Sequence, residues 1–124
     1  MKKVISTDKA PGAIGPYSQG IDLGDIIFFS GQIPLNPQTG EMPEGIEAQT
    51  KQALDNVKGL LENQNLDFSH VVKTTVFLDD MKDFNTVNSI YAQYFVEPYP
   101  ARSAIEVGSL PKGALIEVEI IAVK

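Results

Sequence analysis

The chain of 124 residues has no cysteine, no tryptophan and a single histidine, His70. Without cysteine there is no disulfide framework, no thiol nucleophile and no thiolate metal site. One histidine cannot assemble the usual zinc ligand sets, and Ser–His–Asp chemistry would rest on His70 alone. Positive charge is also scarce, with 10 Lys and Arg against 16 Asp and Glu and a net charge of −6. That balance argues against binding nucleic acid by phosphate neutralisation. No run approaches the roughly 20 apolar residues that span a bilayer. The first six residues, from Met1, are basic but lack the apolar stretch of a signal peptide. A soluble, cytoplasmic protein without membrane association is the expectation.

The length suits one compact domain, residues 1–124, able to hide about two-thirds of the surface of its unfolded chain. Residues 4–6 read as a short edge strand, and 19–22 and 26–33 as two strands around a turn at Leu23-Gly24. Residues 44–63 carry Ile46, Ala53, Leu54, Val57, Leu60 and Leu61 at helical spacing. The β-branched run 70–78 predicts a buried strand that His70 begins. Asp80 and Asp83 offer caps for a second helix, with Phe84, Val87, Tyr91, Tyr94 and Phe95 on one stripe and Pro98 and Pro100 beyond its end. Residues 102–107 and 115–123 read as the last strands, adjacent enough to suggest a hairpin. The order β-β-β-α-β-α-β-β predicts an α+β layer, two helices covering one face of a sheet. The other face is then either solvated or buried in an oligomer.

Arg102 stands out at the mouth of a strand, since lysine fills the other nine basic positions. A guanidinium on a rigid strand suits bidentate recognition of a carboxylate, although pairing with a surface Glu fits the same pattern. Glu117 could orient or activate water from inside an apolar strand. Glu119 shares its strand face, and alternation alone does not choose between them or exclude two solvated carboxylates. Ser30-Gly31 ends a strand where a ligand could approach the backbone closely, or where the chain simply bulges. Tyr17 could line a pocket or pack on the core. Asn88 falls on the apolar side of its helix, where its amide needs partners. His70 reads as structural or exposed.

In register along the chain stand Gly15-Pro16-Tyr17-Ser18-Gln19, Ser30-Gly31-Gln32-Ile33-Pro34, the strand 72–77, Pro100-Ala101-Arg102-Ser103, and Leu110-Pro111-Lys112-Gly113 followed by Ile116-Glu117-Val118-Glu119. This set resembles the reactive intermediate/imine deaminase family (RidA, or YjgF/YER057c/UK114) over essentially the whole chain. The resemblance implies a fold like chorismate mutase of the bacillus type, a six-stranded mixed sheet with two helices on one face. It implies that the last strand inserts between earlier ones rather than forming the hairpin. It further implies a homotrimer closed through the other sheet faces, with clefts between subunits. On that reading the sheet face carrying Arg102, Glu117 and Glu119 is buried in the assembly.

The implied activity is hydrolysis of 2-imino acids to 2-oxo acids and ammonia, without metal or organic cofactor. Arg102 would clamp the substrate carboxylate and Glu117 would position the attacking water. Tyr17, Ser30, Gly31 and Asn88 would line the cleft, and the backbone at Ala104 would meet the imine nitrogen. Ala104 departs from relatives that carry cysteine there, which removes any thiol role. Gly20 stands where alanine is also common. Two rival expectations are a carboxylate-binding sensor using the same cleft without turnover and an RNA-cleaving translation inhibitor. The acidic balance weighs against the latter.

Overall fold

The computed structural model describes residues 2–124, and Met1 of the basic N-terminal stretch lies outside the described residues. Six strands and two α-helices follow one another as β1 (Lys3–Ile5), β2 (Gly20–Asp22), β3 (Ile26–Phe29), α1 (Ile46–Asn63), β4 (Val71–Leu78), α2 (Phe84–Tyr94), β5 (Ala101–Glu106) and β6 (Ile116–Val123). The strands form one sheet in the order β1-β2-β3-β6-β4-β5. Only β4 and β5 pair in parallel, and α2 supplies the crossover that parallel neighbours need. The last strand lies antiparallel between β3 and β4. The hairpin expectation is thereby replaced by insertion, as the resemblance implied.

Both helices cover the same sheet face. From α1, Ala53, Leu54, Val57, Leu60 and Leu61 are fully buried, and Ile116, Val118, Ile120 and Ala122 of β6 meet them. Burial of each Val, Leu or Ile side chain among them contributes about 1.5–3 kcal/mol. On α2 the buried set is Val87, Ile90 and Tyr91, so Ile90 joins the stripe read from sequence. The opposite face is uncovered. Val4 of β1, Ile26 and Phe28 of β3 and Ile105 of β5 stand exposed on it, Phe28 at 45%.

Several boundaries differ from the sequence reading. The first helix begins at Ile46 rather than at 44, because Gly45 at its N-cap has φ 89. The second begins at Phe84 after a 3-10 turn over Met81–Asp83. Asp80 caps that turn by accepting from the Lys82 N–H, whereas Asp83 makes no side-chain cap bond. His70 does not begin a strand. It closes a 3-10 turn, Phe68–His70, where it and Asp67 form a reciprocal capping box, satisfying N–H groups that a turn leaves open. Strand β3 stops at Phe29, four residues short of the predicted end, and Gln32 makes an isolated bridge to Val118 instead.

Candidate active site

Parity along the strands settles which side chains can meet. Arg102 pairs with Thr74 of β4, and Glu117 pairs with Phe77 of the same strand. Paired residues share a face and successive ones alternate. The three-residue offset therefore puts Arg102 on the helix side and Glu117 on the open side. The expected common face for Arg102, Glu117 and Glu119 is corrected accordingly: Glu117 and Glu119 share the open face and Arg102 does not. The strands β5 and β6 are also separated by β4, about 10 Å at the usual interstrand spacing.

Arg102 is held by α2. Its guanidinium carbon lies 4.9 Å from the centre of the Tyr91 ring and 5.5 Å from that of Phe84, a cation–π seat. Nη1 donates to Asn88 Oδ1 at 2.8 Å. Asn88 thus finds its partner in Arg102 rather than in the core. The Tyr91 hydroxyl is itself fixed 2.8 Å from Thr74 Oγ1, and its burial raises the phenol's pKa. Asn88, Arg102, Tyr91, Ala92, Tyr99 and Pro100 enclose a cleft of about 430 Å³. Five donor hydrogens in a fixed plane, restrained on one side, leave the other side able to take a carboxylate. Ala104 lies two residues on, half-buried on the same face.

Glu117 presents the opposite character. It is half-buried, and burial first and the Glu119 charge second raise its pKa above the ordinary carboxylate value. Gly31 packs directly against it, and a β-carbon there would overlap Glu117 Oε2. The segment is pinned by the reciprocal backbone bonds of Gln32 and Val118, 2.7 and 3.1 Å. Ser30 donates through Oγ to the Ser18 carbonyl at 2.5 Å, and its N–H donates to Gln19 O at 2.9 Å. Its hydroxyl proton is thus engaged with the loop that carries Tyr17. Tyr17 is 52% exposed and borders two clefts, one shared with Ser30 and one shared with Gly31, each about 380 Å³. Gly20 is buried under Phe29.

One chain therefore carries two groups of candidate residues. Tyr17, Ser30, Gly31 and Glu117 gather around the end of β3 and the start of β6, while Asn88, Arg102 and Ala104 gather between α2 and β5. His70 belongs to neither, being engaged with Asp67. Among the described residues no three His, Asp or Glu side chains are grouped to hold a metal ion. Sequence reading missed Tyr91 and Phe84 as the seat of Arg102. Their i, i+7 spacing with Asn88 between them was the available signal, but it read as core packing.

The family model described as endoribonuclease L-PSP matches residues 7–124. A protein of Escherichia coli K12 named 2-iminobutanoate/2-iminopropanoate deaminase is 54% identical, the match covering 100% of this chain and 99% of that one. The protein of the same name in Salmonella typhimurium LT2 is 50% identical over 100% and 99%. Among solved structures, E. coli TdcF with bound serine matches with TM-score 0.94 and 46% identity over 98% of both chains.

Proposed function

The chain belongs to the YjgF/RidA family, described as endoribonuclease L-PSP, and from that premise we propose how its residues deaminate 2-imino acids. The reaction is hydrolytic: R–C(=NH)–COO⁻ and water give R–C(=O)–COO⁻ and ammonia. Relatives named for 2-iminobutanoate and 2-iminopropanoate, and a relative solved with serine, support a small amino-acid-derived carboxylate as the ligand.

The observation that carries the reading is the Glu117 carboxyl, desolvated against Gly31 and biased toward holding a proton. A base tuned upward in this way accepts a proton from water more readily, and such catalysis contributes about 10²–10⁴-fold. Water adds to the imine carbon as Glu117 takes its proton. Glu117 returns that proton to the imine nitrogen, giving a neutral carbinolamine. It then takes the hydroxyl proton and delivers it to the nitrogen as the C–N bond breaks and the C=O bond forms, releasing ammonia. Arg102 holds the substrate carboxylate throughout. Fixing both reactants supplies up to about 7–11 kcal/mol by proximity and orientation. Tyr17, Ser30, Gly31 and Asn88 shape the walls, and the Ala104 backbone faces the imine.

Because Arg102 and Glu117 leave opposite faces of the sheet, one small substrate cannot touch both within one chain. We place the cleft between subunits of a homotrimer, Arg102 from one and Glu117 from its neighbour, closed over the exposed Ile26, Phe28 and Ile105 face. Neither metal nor organic cofactor enters the mechanism, and a net charge of −6 with one arginine disfavours an RNA substrate.

A coupled assay tests this. Threonine dehydratase and L-threonine generate the imine, semicarbazide traps it, and added protein should suppress trapping by diverting imine to 2-oxobutanoate. Unchanged trapping combined with saturable 2-oxobutanoate binding would instead make the cleft a sensor.

A further inference from the structure

The cavity that Tyr17 and Gly31 share continues past them between three walls, and its volume of about 380 Å³ exceeds what a three- or four-carbon acid fills. Each wall is anchored by a buried amide. Gln19, 4% exposed, accepts from the Thr7 N–H at 2.6 Å and donates to the carbonyls of Thr7, Ala10 and Pro11 at 3.0, 3.3 and 2.8 Å. Asn56 donates to the carbonyls of Ile33 and Leu35 at 3.0 and 2.9 Å. Gln49 accepts from the Leu115 N–H at 2.8 Å, just after the turn of Pro111–Gly113. Buried amides satisfied in this way fix the backbone they hold, so the space is preformed.

The lining is mainly apolar, with Tyr17, Gln19 and Gln32 set into it and one charge, Lys112. Ile14, Ile33, Leu35 and Pro111 supply apolar surface, and Lys112 stands at the rim. Lys112 has φ 58 and ψ 24, a left-handed conformation uncommon outside glycine. The bonds from Gly113 N–H to Leu110 O and from Ala114 N–H to Pro111 O hold the turn, and Ala114 is buried. No carboxylate lies within ion-pair distance of Lys112 among the described residues, in contrast to Lys51, Lys82 and Lys124.

We propose that this cavity is the side-chain subsite of the deamination cleft and that Lys112 selects substrates with a second carboxylate, dicarboxylic 2-imino acids such as 2-iminosuccinate. The inference rests on the deaminase reading above. Gly31, which lines the cavity and packs against Glu117, sets the reacting carbon beside one end of it. Methylenes cross the apolar lining, and the distal carboxylate meets the ammonium. Hydrolysis of 2-iminosuccinate with one water gives oxaloacetate and ammonia. Its supplier is either a two-electron oxidation of the aspartate C–N bond, with the oxidant belonging to that enzyme, or a β-elimination of water from a 3-hydroxyaspartate.

The test uses the intact protein with two imine sources, threonine dehydratase for 2-iminobutanoate and a flavin-dependent L-aspartate oxidase with oxygen and catalase for 2-iminosuccinate. Semicarbazide trapping gives kcat/KM for each. Lys112→Asn removes the charge while tolerating positive φ, and Lys112→Arg restores the charge. The selectivity ratio, 2-iminosuccinate over 2-iminobutanoate, should fall about tenfold or more in Lys112→Asn, the scale of one charged hydrogen bond, and recover in Lys112→Arg. A ratio unchanged in Lys112→Asn overturns the proposal, as does a wild type that hydrolyses 2-iminobutanoate alone. If the wild type hydrolyses neither, the deaminase reading itself has failed and the subsite falls with it.

Discussion

At the residue scale, the two charged candidates should fail in different ways when altered. Arg102→Ala removes two or more charge-assisted hydrogen bonds, each contributing about 1.5–3 kcal/mol. We expect 2-oxobutanoate binding, measured by calorimetry, to weaken at least about a hundredfold while the melting curve stays close to wild type. Lysine is a poor replacement because it has neither the planar fork nor the ring contacts with Tyr91 and Phe84. Glu117→Gln should keep binding and lose turnover by about 10²–10⁴. The pH profile gives an independent check. Burial and then Glu119 hold the Glu117 pKa above the ordinary carboxylate value, so activity should fall as pH drops through that raised value. Glu119→Gln removes one cause of the rise and should move this acid limb to lower pH. An unmoved limb would assign it to another group.

Two predictions belong to the elements. The C-terminal Lys124 donates to Asp22 Oδ2 at 2.9 Å, tying the end of β6 to β2. That bond first, and the Gly24 N–H second, hold the Asp22 carboxyl below its ordinary value of 3.8. A depressed folded value means the stabilisation is fully present above pH 3.8 and is lost as pH falls through the folded value. Asp22→Asn should therefore lower the melting temperature at pH 7 and converge on wild type in strong acid. In α1, Gly59 lies against the Lys9 backbone, and a β-carbon there would overlap the Lys9 carbonyl oxygen. Helix propensity favours alanine over glycine by about 0.8–1 kcal/mol, but the contact should reverse the sign. A thermal melt of Gly59→Ala below wild type would confirm that close approach sets this position. The periodicity of α1 was legible because its apolar stripe faces a single sheet. The glycine was not, since nothing local in the sequence announces Lys9 as its neighbour.

For the whole molecule, assembly and catalysis should be inseparable. On the proposed homotrimer, Phe28→Asp places a charge on the sheet face that assembly would bury, and sedimentation should show wild type as a trimer and the variant as a smaller species that has lost turnover. If each cleft draws Arg102 from one subunit and Glu117 from the next, two inactive variants can complement. Refolding Arg102→Ala with Glu117→Gln in equal amounts leaves about one cleft in four with both groups intact, by random closure of a cyclic oligomer. Recovery of about a quarter of wild-type activity is the expected result, and no recovery would place both groups in one subunit's site.

The sequence by itself determined the α+β class, the positions of both helices and the residues of chemical interest, because periodicity and residue type are local properties. Arg102, Glu117, Gly31 and Tyr17 are candidates by residue type and position, although alternation alone leaves Glu117 and Glu119 equivalent. The tertiary structure alone decided how they are arranged. Insertion of β6 between β3 and β4 sets the register, and register parity sends Arg102 to the helix face and Glu117 to the open one. The seat of Arg102 on Tyr91 and Phe84 likewise depends on the crossover that lays α2 beside β5. Strand alternation orders side chains along one strand only. Which face is shared across strands depends on pairing between residues far apart in the chain, and only the folded sheet fixes that pairing.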